Sequence, residues 1–189
     1  MLRNLLHRFR RNESGVAAVE FALILPILLL LYMGSIEASS LYTVDRRIDV
    51  ISNTTADLVA RWNSGNTAIP SNTLRDYFRA SAGIITPYST NGLKQVVSLL
   101  QVSNAGEARV VWSCAYNGGA ALPVNSIYTL GEDTQNLSRG GYLVAATAQY
   151  AYKPVLGVVF TTALNLENEA LFTPRFGSAV TAPSGGCPT

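Results

Sequence analysis

The stretch Gly15-Val-Ala-Ala-Val-Glu20-Phe21-Ala-Leu-Ile-Leu-Pro26-Ile-Leu-Leu-Leu-Leu31 decides how this chain is read. It is apolar or small throughout, except for one carboxylate, Glu20. From Val16 the run continues to Ile36. As a helix rising about 1.5 Å per residue it covers roughly 31 Å, close to the hydrocarbon thickness of a bilayer. An acid inside such a span costs roughly 2.5–3.5 kcal/mol even on lenient insertion scales. Anchoring alone does not require that cost, so Glu20 points to a task performed in or at the membrane.

The flanks give an orientation. Arg3, Arg8, Arg10 and Arg11 precede the span, with Glu13 the only acid among them. Glu37, Asp45, Arg46, Arg47 and Asp49 follow it as a mixed set. The excess of arginine places the N-terminus in the cytoplasm and everything after about residue 36 outside. The division is then a basic leader (1–15), a transmembrane helix (16–36), a helical extension (37–64) and an outer domain (65–189). The formal charge of +2 belongs to the leader. The outer part is nearly neutral, which argues against a nucleic-acid partner. Its two cysteines, Cys114 and Cys187, lie in what would be an oxidising compartment, which favours one disulfide. That bond closes a loop of about 73 residues, stabilises the fold by about 4 kcal/mol on the chain-entropy model, and ties down a Pro/Gly/Ser-rich tail.

Three readings of the N-terminus stand side by side. A secretory signal peptide has the basic and apolar regions, but the run is long, contains Glu20, and offers only a poor cleavage site near Ile36-Glu37-Ala38. A plain single-pass anchor fits length and flanks and leaves Glu20 unexplained. In the third, the short basic tail, Gly15, four small or apolar residues, Glu20 and Phe21 resemble the G-x-x-x-x-E-F/Y site of class III prepilins. The wider string G-V-A-A-V-E-F-A-L-I-L-P is similar to the N-terminal signature of the TadE family, pseudopilins of the tight adherence (Tad, or Flp) pilus.

The resemblance implies several things. A prepilin peptidase would cut after Gly15 and leave Val16 as the new N-terminus. Glu20 and Phe21 would serve recognition and assembly, Pro26 would loosen or kink the helix, and the arginines would hold the site at the membrane surface. The partners would be that peptidase, other Tad pilins and pseudopilins, and inner-membrane assembly proteins. The domain would face the periplasm of a bacterium. The competing reading is an uncleaved single-pass protein whose periplasmic domain binds an envelope partner.

The rest of the chain reads as α+β. Leu41, Val44, Ile48, Ile51, Leu58 and Trp62 recur at helical spacing, so one long helix should run from the membrane to about Ser64-Gly65. Ser71 or Asn72 should cap a short helix carrying Leu74, Tyr77, Phe78 and Ala82, with Gly83 as its stop. Gln95–Val102 and Ala108–Tyr116 flank a five-residue loop and read as a hairpin. Residues 118–141 form a long turn-rich connection. Tyr142–Tyr152 alternates cleanly, Pro154 ends it, and Leu166–Thr173 reads as an edge strand whose Glu167 and Glu169 face solvent. Val155–Phe160 is apolar but too short to cross a membrane. The expected architecture is a long N-terminal helix packed on a small antiparallel sheet, pilin-like.

Catalytic designs find little support. The only histidine, His7, lies in the basic leader, which removes Ser-His-Asp and Cys-His arrangements from the outer domain. Two cysteines and carboxylates make a poor zinc set, and no phosphate-binding or dinucleotide fingerprint occurs. Glu132-Asp133 with Asn136 offers oxygen ligands, but a solvated loop is the simpler reading. The expectation is therefore no enzyme, no cofactor and no metal. The triplets at Asn53 and Asn136 match glycosylation sequons by composition only.

Overall fold

A computed structural model describes residues 15–63, 67–154, 156–158, 161–176 and 179–188. The leader arginines Arg3, Arg8, Arg10 and Arg11, together with His7 and the Ser64-Gly65 end expected for the long helix, lie outside the described residues. The chain divides into two compact units, residues 1–41 with 153–162, and residues 42–152 with 163–189. Helix α1 (Val16–Ala60) contributes to both.

In the larger unit, α1 buries Val44, Ile48, Ile51, Thr55, Ala56, Val59 and Ala60. The stripe differs from the expected one in its last turns. Leu58 and Trp62 are only half-buried, because Thr55 and Val59 occupy the inward positions. The helix stops at Ala60, whose carbonyl accepts from the Arg175 N–H at 2.9 Å. That bond satisfies one of the carbonyls a helix end leaves open. Asp57, one turn earlier, receives Arg61 at 2.6 Å and Arg175 at 2.5 Å. The Arg61 hydrogen bond, with Arg175 adding to it, holds the Asp57 carboxyl below the usual range against the opposing effect of burial.

The short helix α2 (Ser71–Ala82) begins without the expected cap. Ser71 is its first residue, and Asn72 Oδ1 accepts only from the adjacent Thr73 N–H. The open N–H of Ser71 is met instead by the Ser184 carbonyl at 3.2 Å, supplied by the C-terminal tail. Gly83 is no left-handed stop either. Its φ is −57°, and a 3-10 turn (Gly83–Ile85) continues from it.

Five strands form one antiparallel sheet in the order β3-β2-β1-β4-β5. They are β1 (Leu93–Val102), β2 (Ala108–Tyr116), β3 (Ile127–Tyr128), β4 (Tyr142–Tyr152) and β5 (Leu164–Phe172). The hairpin β1-β2 and the edge position of β5 agree with the sequence reading. The inner face presents Val97, Leu99, Trp112, Cys114, Val144, Ala146 and Ala170 to Ala56, Val59 and Ala60 of α1 and to Leu74 and Phe78 of α2.

The sheet also has a buried second face. Leu100, Val102, Ala108, Val110, Leu143 and Ala145 pack beneath Leu130, Leu122 and Tyr128. Residues 118–141 are thus a cover as well as a connection, and they include β3 and a short helix α3 (Glu132–Leu137). The cover depends on a bulge. Leu99 pairs with Trp112 but Leu100 pairs with Val110, which leaves Val111 as the extra residue. The slip reverses the parity of β2, so that Trp112 faces inward while Val110 and Ala108 join the second face. Tyr128 then reaches across the outer side of the sheet and donates to Glu169 of β5. Burial, and next the Glu169 carboxylate, push the Tyr128 hydroxyl well above its ordinary value. Glu169 therefore holds a tyrosine instead of facing water alone. At Gly119, which starts the cover, an added Cβ would lie 2.7 Å from the Gln95 carbonyl, too close for any other residue.

The expected disulfide between Cys114 and Cys187 is present. It does not hold the tail alone. Trp112 Nε1 donates to the Val180 carbonyl at 2.8 Å, and the Ser184 N–H donates to the Ile69 carbonyl at 2.9 Å.

A polar cluster sits where α1, α2 and β1 meet. Thr55, Ser81 and Gln95 are each at most 1% exposed. Gln95 Oε1 lies 2.8 Å from Ser81 Oγ and 3.1 Å from Thr55 Oγ1, while Gln95 Nε2 donates to the Phe78 carbonyl at 3.0 Å. Removing both hydroxyls leaves the Gln95 oxygen buried without a donor, at a cost of about 1–3 kcal/mol. Chemical denaturation of the full chain in detergent should show that loss for Thr55→Val/Ser81→Ala. Adding Gln95→Leu should recover part of it, because the stranded acceptor is then gone.

The Asp57 pair gives an acid-side prediction. A depressed carboxyl contributes stability that is fully present above the unfolded value of about 3.9 and is lost as pH falls through the lower folded value. Asp57→Asn should therefore lower stability at pH 7, by no more than about 1 kcal/mol for a partly exposed pair. The difference from wild type should shrink as pH falls below the unfolded value and through the lower folded one.

Candidate processing and assembly segment

The smaller unit carries the segment that the sequence singles out. α1 starts at Val16, immediately after Gly15. From Gly15 to Ile36 every residue except the half-buried Gly34 is exposed. Phe21 is 58% exposed, Leu23 71% and Leu31 66%. A helix this apolar and this bare has no stable place in water, where exposed patches mark a membrane or a partner. The helix is long and apolar enough to cross a bilayer, and none of its most apolar window is buried in the protein. Only about half of its 45 residues are needed for the crossing.

Glu20 lies one turn into this helix, exposed, with no hydrogen bond or ion pair among the described residues. Nothing among the described residues offsets its charge in lipid. Gly15 is likewise unconstrained, because a Cβ built there meets nothing within 4 Å. The contrast with Gly119 is informative: the fold requires a glycine at 119, whereas nothing among the described residues crowds position 15. The helix is continuous through Pro26, which leaves the Ala22 carbonyl without its usual partner four residues on. Val16 and Phe21 share the exposed helical start with Glu20.

One residue of this unit escaped the sequence reading. Glu37, the first residue after the apolar span, is 2% exposed, and its Oε1 accepts from the Val158 N–H at 2.7 Å. In sequence it was merely one of several flanking charges. No local pattern announces a partner that lies so far along the chain.

The remaining candidates carry little chemistry. Glu132 and Asp133 sit exposed in α3, and Asn136 Oδ1 is taken by Arg139 at 2.9 Å. Among the described residues no group of three or more His, Cys, Asp or Glu side chains could hold a metal ion. Asn53 is half-buried in α1, with its amide donating to the Asp49 carbonyl at 2.7 Å.

Comparison with known proteins falls on the same segment. Neither a curated protein nor a solved structure matches the chain. A family model described as TadE-like protein matches residues 15–57, under a quarter of the chain. The match begins at Gly15, runs through Glu20, Phe21 and Pro26, and ends in the turn of α1 that holds Thr55 and Asp57. Residues 15–57 are thus similar to the TadE-like family.

Proposed function

We propose that this chain is a TadE-like minor pseudopilin, a membrane-anchored structural component in the assembly of a Tad (Flp) pilus. The observation that carries the proposal is Glu20. Among the described residues it is an acid without a partner, on a bare apolar helix, five residues after a glycine whose Cβ position meets nothing within 4 Å.

In this reading a prepilin peptidase hydrolyses the Gly15–Val16 bond at the cytoplasmic face. Water adds across the peptide, leaving a carboxylate on Gly15 and an amine on Val16. Absence of a side chain at Gly15 lets an extended backbone approach the catalytic groups of the peptidase closely. Arg3, Arg8, Arg10 and Arg11 hold the site at the anionic cytoplasmic surface. The new α-amine, with an ordinary pKa near 8, is mostly cationic at neutral pH. Glu20 of one subunit then pairs with the Val16 amine of a neighbour, and each charge offsets the cost of the other in lipid. Phe21 packs beside that pair. The disulfide-bonded domain faces the periplasm, where oxidation is available. A domain of this size suits a tip, base or scaffold position better than that of the repeating subunit.

Intact mass and N-terminal sequencing of the membrane-extracted protein test the processing step. Cells with an active peptidase should yield a chain beginning at Val16, and Gly15→Leu should accumulate uncut. Wild-type protein that keeps residues 1–15 would instead support an uncleaved anchor whose outer domain binds an envelope partner. Normal maturation of Gly15→Leu would move the cleavage site elsewhere.

A further inference from the structure

The loop from Lys153 to Thr162 groups with the membrane helix and not with the sheet from which it departs. Its tether is explicit. The Val158 N–H donates to Glu37, and Glu37 is the residue that follows the apolar span. The zone between the hydrocarbon edge and bulk water is roughly 5–7 Å deep on each side of a bilayer, about four residues of helix. The bond therefore holds the loop at the level of the lipid headgroups, whichever side of the membrane it faces. At that level Leu156 is 49% exposed and Val158 43% exposed, while Lys153 is exposed at the start of the loop.

We infer that this loop is a second membrane contact, which inserts Leu156 and Val158 into the headgroup–acyl boundary on the outer side of the span. The inference rests on the membrane-anchored reading above. Three observations favour a lipid surface as the occupant. The loop is pinned beside a segment already assigned to lipid. Its described residues expose two aliphatic side chains, Leu156 and Val158. At its start stands an exposed lysine, Lys153, whose stem can lie along apolar surface while its head stays among phosphates. Glu37 makes the arrangement possible. Its carboxylate is covered by the loop and accepts a backbone N–H that would otherwise enter a poorly hydrated zone unsatisfied. The contact would fix the rotation of α1 about its own axis at the membrane surface, which a single helix crossing leaves free.

Spin labels on the full chain in lipid nanodiscs test this, one copy per disc. Labels are placed through Leu156→Cys, through Ile24→Cys within the span, and through Val124→Cys in the outer domain. Collision with oxygen, which concentrates in lipid, is compared with collision with a water-soluble nickel chelate. Residue 156 should resemble residue 24, with an oxygen-to-nickel ratio several-fold above that of residue 124. A label through Val158→Cys serves as the second reporter if Leu156→Cys perturbs the loop. A water-like ratio at both 156 and 158, with a lipid-like ratio at 24, would overturn the loop contact and leave the anchor intact. Shielding of 156 from both probes would overturn it in favour of a protein neighbour. A water-like ratio at 24 would remove the anchor itself, and the loop contact with it.

Discussion

A carboxylate in hydrocarbon must find a positive partner, or the helix that carries it loses several kcal/mol of insertion free energy. Glu20 has no such partner within its own chain among the described residues. Everything proposed for the N-terminal segment follows from that one unsatisfied charge. In the proposed reading the compensating cation comes from a neighbouring subunit, and cleavage after Gly15 would create one at the right depth. The glycine, the acid and the apolar run make sense together, whereas each alone would be unremarkable in a membrane anchor.

The outer part of α1 has a different logic. Beyond Tyr42 the helix exchanges exposed apolar residues for a buried stripe, and Val44, Ile48 and Ile51 are wholly buried. Polar groups on that stripe are matched rather than avoided. Thr55 joins Ser81 and Gln95, Asp57 joins Arg61 and Arg175, and Asn168 of β5 donates to Asp45 at 3.0 Å. Apolar burial supplies most of the packing free energy, but these directional contacts fix the rotation of the helix on the sheet. The family match ends within this region, at residue 57.

Much of this was legible in the sequence, and the failures have identifiable causes. The long apolar helix, the β1-β2 hairpin, the alternation of β4 and the Cys114–Cys187 bond rest on strong local periodicity or on a two-member pairing, so they survive in a single sequence. Glu20 stands out because it breaks an apolar run, and the family match covers both it and Gly15. The Val111 bulge was not visible, because Val110-Val111-Trp112 is apolar at every position and carries no parity signal. The second buried face depends on that bulge, and it was missed with it. The start of α2 was misread because its N–H groups are met by the distant Ser184 carbonyl and not by a local side chain. The Glu37–Val158 bond was hidden for the same reason: its partners are far apart in sequence and adjacent only after folding.

The central claim is that Glu20 is neutralised by a neighbouring subunit. The most direct measurement is co-isolation of Glu20→Ala with the other pilus components, after mild membrane extraction and side by side with wild type. The account predicts that the variant inserts and is cut normally but no longer co-isolates with those components. Recovery of the same components in the same amounts would contradict it, because the acid would then have no partner to lose.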